Sequence, residues 1–441
     1  MRYVSTRGHT PPMSIDDALL CGLARDGGLF VPELLPSRVS TPVDFTPVNL
    51  TPVNQRRALN LAQVANDCLA PFFVGSRVRE QLPEWCQRAL CIPIELRPLS
   101  DALTLLELYL GPTAAFKDFA ARFLAEAMSA LRAPGAATQT VLVATSGDTG
   151  AAVAAAFHHR PGFRVVVLYP DGRVSPRQAH HLGSFGGNVQ AIAVEGSFDH
   201  CQALVKRAFS DPLLRAKHPL ASANSISLGR LLPQMSYYAW LALEAERKQQ
   251  DAPNLVIPTG NLGNALAAIL AQRMGFPLGR IVLASNANRT LAHFFAGHSY
   301  APEATVATLA NAMDVGAPSN AERLRWWFGD AQLRESFAAY AIDDAQIRAE
   351  IQQTWQEFGF AACPHTACGL RVARQLHAQD GSRWVIAATA HPAKFSEVVE
   401  PLIGAKLPVP ASLRAMLASQ SHALRMPLEY SALCAQLDSA A

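Results

Sequence analysis

From about residue 100 onward, short apolar runs rich in β-branched residues alternate with amphipathic, alanine-rich segments. The runs are TVLVAT, RVVVLYP, VQAIAV, NLVIPTG, RIVLAS and WVIAAT. This alternation predicts βαβ units and parallel sheets, an α/β fold. Several runs stop at a Gly, Ser or Thr turn that leads straight into a helix. In open α/β sheets ligands bind at that carboxyl edge, so the informative residues are expected there. The first hundred residues lack the alternation. Within them TPVDFTPVNLTPV, at 41–53, reads as a loop or linker between helical segments.

Half of the 441 residues are apolar, enough to fill the cores of two or three domains. The net charge is only +3 and the basic residues are scattered, which argues against a nucleic-acid partner. MRYVSTRGHT has no apolar core of signal-peptide length, and no run reaches the roughly 18 apolar residues of a membrane span. A cytoplasmic protein is expected. The eight cysteines form no C-x-x-C pair and are expected to be buried reduced thiols. Cys363 and Cys368 flank Pro364-His365, a combination too sparse to read as a metal site.

Against that background GPTAAFKDFAARF, at 111–123, stands out, because the chain has six lysines against thirty-two arginines. Pro112 and Thr113 predict a helix start, with an apolar face of Phe116, Phe119, Ala120, Phe123, Leu124, Ala127 and Met128. Lys117 then sits in the first turn. The positive end of the helix dipole and burial between aromatic rings both disfavour its ammonium form. A neutral lysine can form an imine and an arginine cannot. A lysine snorkelling from a helix end accounts for the stretch equally well.

Four further stretches follow strands. VLVATSGDTGAAV places Ser146, Asp148 and Thr149 at a helix start, either as an anion cradle or as an ordinary N-cap. PTGNLGN, with Gly260, Asn261, Leu262, Gly263 and Asn264, suits a single phosphate cup. It lacks the full dinucleotide fingerprint and the Walker lysine. NSISLGRLLPQ offers Asn224, Ser225 and Arg230, a donor set suited to a phosphate dianion or to a capped surface helix. WVIAATAHPAKF ends a strand at Thr389, with His391 and Lys394 at the next helix start; His391 there reads as structural.

Together these stretches resemble the threonine synthases, pyridoxal-phosphate enzymes of fold type II, which are grouped with the tryptophan synthase β chain, cysteine synthase and the serine and threonine dehydratases. The resemblance runs almost end to end: STRG, GLARDGGLFVP, GPTAAFKDF, ATSGDTGAAV, LYPDGRVSP, CQALVK, NSISLGRLLPQ, PTGNLGN, NAMDVGAPSN, PHTA and TAHPAKF. It implies two parallel or mostly parallel open sheets flanked by helices, with an added N-terminal region over 1–98. A smaller α/β domain is expected over 139–245, and a larger cofactor-binding domain over 99–138 and 246–441.

The implied cofactor is pyridoxal 5′-phosphate, bound covalently by Lys117, which would also be the catalytic base. The resemblance places Gly260, Asn261, Leu262, Gly263 and Asn264 on the cofactor phosphate. It sets Thr389 at the pyridine nitrogen and Asp148 near the phenolic oxygen. Ser146 and Thr149 would clamp the substrate carboxylate; Asn224, Ser225 and Arg230 would bind the phosphate of O-phospho-L-homoserine. No metal is implied. The expected reaction is a lyase step that forms L-threonine, the last of threonine biosynthesis, by γ-elimination and β-hydration. The alternative is another fold-type II lyase, such as a serine or threonine dehydratase or a phospho-lyase. Leu110, Leu262 and Ser227 depart from the family's usual His, Phe and Asn. The sequence does not separate monomer from homodimer.

Overall fold

The structure, a computed structural model, describes residues 1–37 and 59–439. The Thr-Pro-rich stretch at 41–53 lies outside the described residues. Near the N-terminus β1 (Tyr3–Ser5) and β2 (Phe30–Pro32) pair antiparallel into a small sheet of their own. Next come β3 (Glu95–Pro98) and β4 (Leu103–Glu107), then β5 (Gln139–Ala144), β6 (Phe163–Pro170), β7 (Val189–Val194) and β8 (Leu220–Ser222). The remaining strands are β9 (Leu255–Pro258), β10 (Ile281–Ser285), β11 (Ala338–Ala341), β12 (Trp384–Ala388) and β13 (Leu424–Met426).

Two larger sheets result. One has six strands in the order β11-β10-β9-β12-β4-β3, and the other five in the order β13-β7-β6-β5-β8. Every pairing in them is parallel except β3 with β4. The six runs read from the sequence are all strands of these two sheets, β5, β6, β7, β9, β10 and β12. Their near-continuous apolar character has a physical cause: helices cover both faces, so the interior strands are buried on both sides.

Two strands fall outside the expected divisions. β13 lies in the stretch assigned to the larger domain, yet it pairs with β7 at the edge of the five-stranded sheet. β3 begins within the region assigned to the N-terminus but belongs to the six-stranded sheet. Edge strands of three or four residues carry too little hydrophobic pattern to announce their partners.

The helix carrying Lys117 spans Lys117–Leu131, so it starts later than Pro112 suggested. The delay follows from local bonding. The Asp118 carboxylate accepts from the Thr113 backbone N–H at 2.9 Å and from its hydroxyl at 2.6 Å. Ala115 bridges to Ala390, and the Phe116 N–H donates to the Thr389 carbonyl at 2.9 Å. Residues 113–116 are thus tied to the segment after β12 before the helix begins. Apart from the part-buried Phe116 the predicted apolar face is buried, with Phe123 packing edge-on against Phe73 and Trp85 of the N-terminal region. That packing anchors the segment around Phe73 and Trp85 to the Lys117 helix.

Candidate active site

The carboxyl ends of β5, β9 and β12 converge on one cavity between the two larger sheets. Every site residue expected from the sequence lines it: Lys117, Ser146, Asp148, Thr149, Asn224, Ser225, Arg230, Gly260, Asn261, Leu262, Gly263, Asn264 and Thr389. Lys117, the first residue of its helix, is part-buried and reaches this cavity. Burial pulls its ammonium down to about 8; Asp148 opposes the shift, while Arg230 and Lys394 add to it.

Asp148 opens the helix Asp148–Phe157 after β5. The N-cap there is Gly147, at φ 127°, and no side chain caps the helix. Thr145 satisfies the turn instead, its hydroxyl accepting from the N–H groups of Gly147 at 3.0 Å and Gly150 at 2.8 Å. Ser146 and Thr149 are therefore spared for the cavity. Burial alone would raise the Asp148 carboxyl, but the Lys394 and Lys117 ammoniums outweigh it and hold the group well below the usual carboxylate range. Lys394 pairs directly with Asp148 at 2.6 Å, and Gln178 donates to the same oxygen at 3.0 Å.

The turn after β9 has the geometry of an anion cradle. Helix Gly263–Arg273 has no side-chain cap, and its N-cap residue, Leu262, takes the left-handed conformation at φ 63°. Its first N–H groups face the turn without intrahelical partners. Gly260 is required, because a Cβ there would stand 2.7 Å from the Met313 Cα. Asn264 accepts from the hydroxyls of Tyr237 at 2.5 Å and Tyr238 at 3.0 Å, which leaves its buried Nδ2 without a protein partner.

Across the cavity, Asn224 donates to the Ala144 carbonyl at 2.8 Å while its Oδ1 stays buried and unpartnered. Arg230 donates through Nη1 to the Ala223 carbonyl at 2.6 Å, and its Nε is likewise buried without a partner. An unpaired buried donor costs about 1–3 kcal/mol, which a bound anion removes. The free donors, Nδ2 of Asn264 on one side and Nε of Arg230 on the other, therefore fit a ligand carrying phosphate, whereas the free Oδ1 of Asn224 is an acceptor and suits a protonated group.

Residues 93–390 match the family described as pyridoxal-phosphate-dependent enzymes. Residues 2–90 match the N terminus of threonine synthase, and residues 366–435 its C-terminal part. The threonine synthase of Serratia marcescens is 38% identical over 429 residues, covering 96% of each chain. That of Escherichia coli is 36% identical over 439 residues, 98% of each. The chain belongs to the threonine synthase family. Among solved structures, the Escherichia coli threonine synthase superposes with a TM-score of 0.89 at 34% identity, covering 100% of both chains. The pyridoxal-phosphate-bound threonine synthase from Brucella melitensis gives 0.87 at 31% identity, covering 100% of this chain and 99% of that one.

In this threonine synthase-family chain three residues near the cavity receive no site role from sequence reading. Lys394 is 2% exposed and also donates to the Thr113 carbonyl at 2.9 Å. The lysine scarcity that singled out Lys117 applies to it equally and was the available signal. His365 lines the cavity, accepts from the Ala312 N–H at 3.1 Å, and is pushed down to about 4 chiefly by burial, so it is neutral. Gln178 reaches Asp148 from a different helix, and nothing in the sequence marks it.

Other expectations resolve locally. Cys363 caps the helix Pro364–Asp380, its sulfur accepting from the Thr366 N–H at 3.5 Å. Among the described residues no group of His, Cys, Asp or Glu could hold a metal ion. The cysteines are all free, but Cys21 and Cys91 are exposed and Cys434 is partly so, against the expectation of burial. His391 caps the turn Pro392–Phe395 by accepting from the Ala393 N–H at 3.1 Å, so that cap does not fall to Thr389. Among the described residues no helix is long and apolar enough to cross a membrane.

Proposed function

We propose that this chain converts O-phospho-L-homoserine and water to L-threonine and phosphate, the last step of threonine biosynthesis. One observation carries the reading: a single cavity is lined by an amine with a depressed pKa and, at two separate places, by buried donors without a protein partner, Nδ2 of Asn264 and Nε of Arg230. One set suits the cofactor phosphate, at Gly260, Asn261, Leu262, Gly263 and Asn264. The other, Asn224, Ser225 and Arg230, suits a phosphate on the substrate.

Bound pyridoxal phosphate supplies the electron sink that stabilises negative charge developing at the substrate Cα. Lys117 would hold the cofactor covalently and, once freed as a neutral amine, accept the proton from Cα and return protons further along the chain. Thr389 would face the pyridine nitrogen with a hydroxyl, which can hydrogen-bond there but cannot act as a counter-ion. Asp148 would lie near the phenolic oxygen, its charge already matched by Lys394. Ser146 and Thr149 would clamp the substrate carboxylate.

Arg230 and Asn224 would hold the phosphate that departs from Cγ, and water adds at Cβ. Because those contacts lie remote from Cα, their binding energy can orient the Cα–H bond for proton removal. The test is Arg230→Ala. Cofactor absorbance should survive, while kcat/KM with O-phospho-L-homoserine falls by about 2–4 kcal/mol in transition-state terms. Normal kinetics in that variant, or faster turnover of unphosphorylated serine or threonine by the unaltered enzyme, would refute the reading.

A further inference from the structure

Arg323 is fully buried, in the helix Ala321–Ser336, and among the described residues no carboxylate pairs with it. All three of its nitrogens are committed. Nε donates to the Phe30 carbonyl on β2 at 2.9 Å, Nη1 to the Asn320 side-chain oxygen at 2.7 Å, and Nη2 to the Ile226 carbonyl at 2.6 Å. Asn320 passes the connection on: its Nδ2 donates to the Asn261 carbonyl at 3.0 Å and to the Ser225 carbonyl at 3.3 Å. Asn261 and Ser225 are themselves joined, Nδ2 to Oγ, at 2.5 Å. The neighbouring Glu322 accepts from the Thr6 hydroxyl at 2.5 Å and from Arg7 at 3.3 Å, so the same helical turn also grips the end of β1.

We infer that Arg323, acting through Asn320, is a positioning residue that holds the turn at Asn261 and the turn at Ser225 in one rigid arrangement anchored on the N-terminal strands. A fork suits this task, since the planar guanidinium spreads its donors over three separate nitrogens in fixed directions, whereas a lysine ammonium gathers its three at one point on a flexible stem. The charge has a use as well. A buried guanidinium held by carbonyl oxygens is costly, and burial pulls it down to about 9 even though the neighbouring Glu322 carboxylate opposes the shift. Anions in the two turns would offset that cost, so occupancy of either turn favours the other. The inference rests on the assignment of these turns to the two phosphates.

Two variants test it. Arg323→Lys keeps a charge without the fork, and Asn320→Ala keeps Arg323 on Phe30 and Ile226 but removes the relay. The readouts are the dissociation constant of pyridoxal phosphate from the apoenzyme, followed by absorbance, the KM and kcat of the holoenzyme, and thermal unfolding. Each variant should raise both the cofactor dissociation constant and the KM for O-phospho-L-homoserine roughly tenfold, with kcat changed less than about threefold. The double variant should be no worse than the more affected single one, since both break the same chain of contacts.

A lowered melting temperature with both binding constants within about twofold of the unaltered protein would leave Arg323 a purely structural residue and overturn the inference. Losses that multiply in the double variant would overturn the relay. Should Arg323→Lys fail to fold, an unchanged cofactor constant in Asn320→Ala would be enough to reject it. The cofactor titration uses no substrate, so it stands even where Arg230→Ala refutes the substrate-phosphate assignment.

Discussion

In the proposed role Lys117 would bond to a cofactor aldehyde, which requires that it first lose its proton, and burial favours that loss. A free lysine titrates near 10.4, whereas here the ammonium is pulled down to about 8. The sign follows directly: below about pH 8 the amine is protonated and cannot attack, and above it the neutral form dominates. Cofactor uptake by the apoenzyme should therefore accelerate roughly tenfold per pH unit up to about 8 and then level off. Stopped-flow absorbance across pH 6 to 10 measures this, and a midpoint near that of free lysine would contradict it. Lys117→Arg should take up cofactor without ever forming the covalent bond, because guanidinium is not a nucleophile near neutral pH. This much was legible from the chain, since a lysine between phenylalanines in an arginine-rich sequence already raised the question of an imine. The Asp148–Lys394 pair that surrounds Lys117 was not legible, because 246 residues separate the two partners.

At the scale of elements, the turn between β9 and its following helix shows two local effects in opposition. Leu262 sits fully buried in the left-handed region, at φ 63°, which costs an L-residue about 1–2 kcal/mol. Leu262→Gly would remove that strain but also a buried leucine side chain, whose loss costs about 2–5 kcal/mol. The packing loss is the larger. The variant should thus be destabilised by about 1–3 kcal/mol in denaturant unfolding of the apoprotein, and a stabilised variant would show that the strain dominates. Sequence reading takes the glycine-rich turn as a phosphate cup but has no means of finding its left-handed residue, which is not a glycine. It likewise misplaced the start of the Lys117 helix, because Asp118 reaches back to Thr113 and holds the preceding residues out of the helix.

At the scale of the whole molecule, the cavity depends on contacts between the two larger sheets. Asp148 follows β5 of the five-stranded sheet and Lys394 follows β12 of the six-stranded one, and their ion pair is buried on both sides. The Ser175 hydroxyl adds a bond to the Lys394 carbonyl at 2.8 Å, and Arg177 donates to the Ala393 carbonyl at 2.5 Å. Lys394→Met leaves Asp148 buried with the bond from Gln178 and the more distant Lys117 but without its direct ion-pair partner, an expected loss of up to about 3–5 kcal/mol. Combining it with Asp148→Asn removes the stranded charge, so the double variant should be more stable than Lys394→Met alone. Chemical denaturation of the two proteins decides the point, and a double variant less stable than the single one would mean that the pair is not the main cross-sheet contact.

The sequence by itself determined the strand-and-helix alternation, the parallel sheets, and thirteen of the residues that line the cavity. These properties are local: a buried strand must be apolar, a tight turn needs small residues, and an imine needs an amine. Only the tertiary structure decided which distant groups meet. It placed β13 beside β7, brought Lys394 to Asp148, and set Arg323 among the N-terminal strand and the turns at Ser225 and Asn261. Those pairings draw on backbone carbonyls and side chains far apart in the chain, and a carbonyl acceptor carries no residue-specific signature in the sequence.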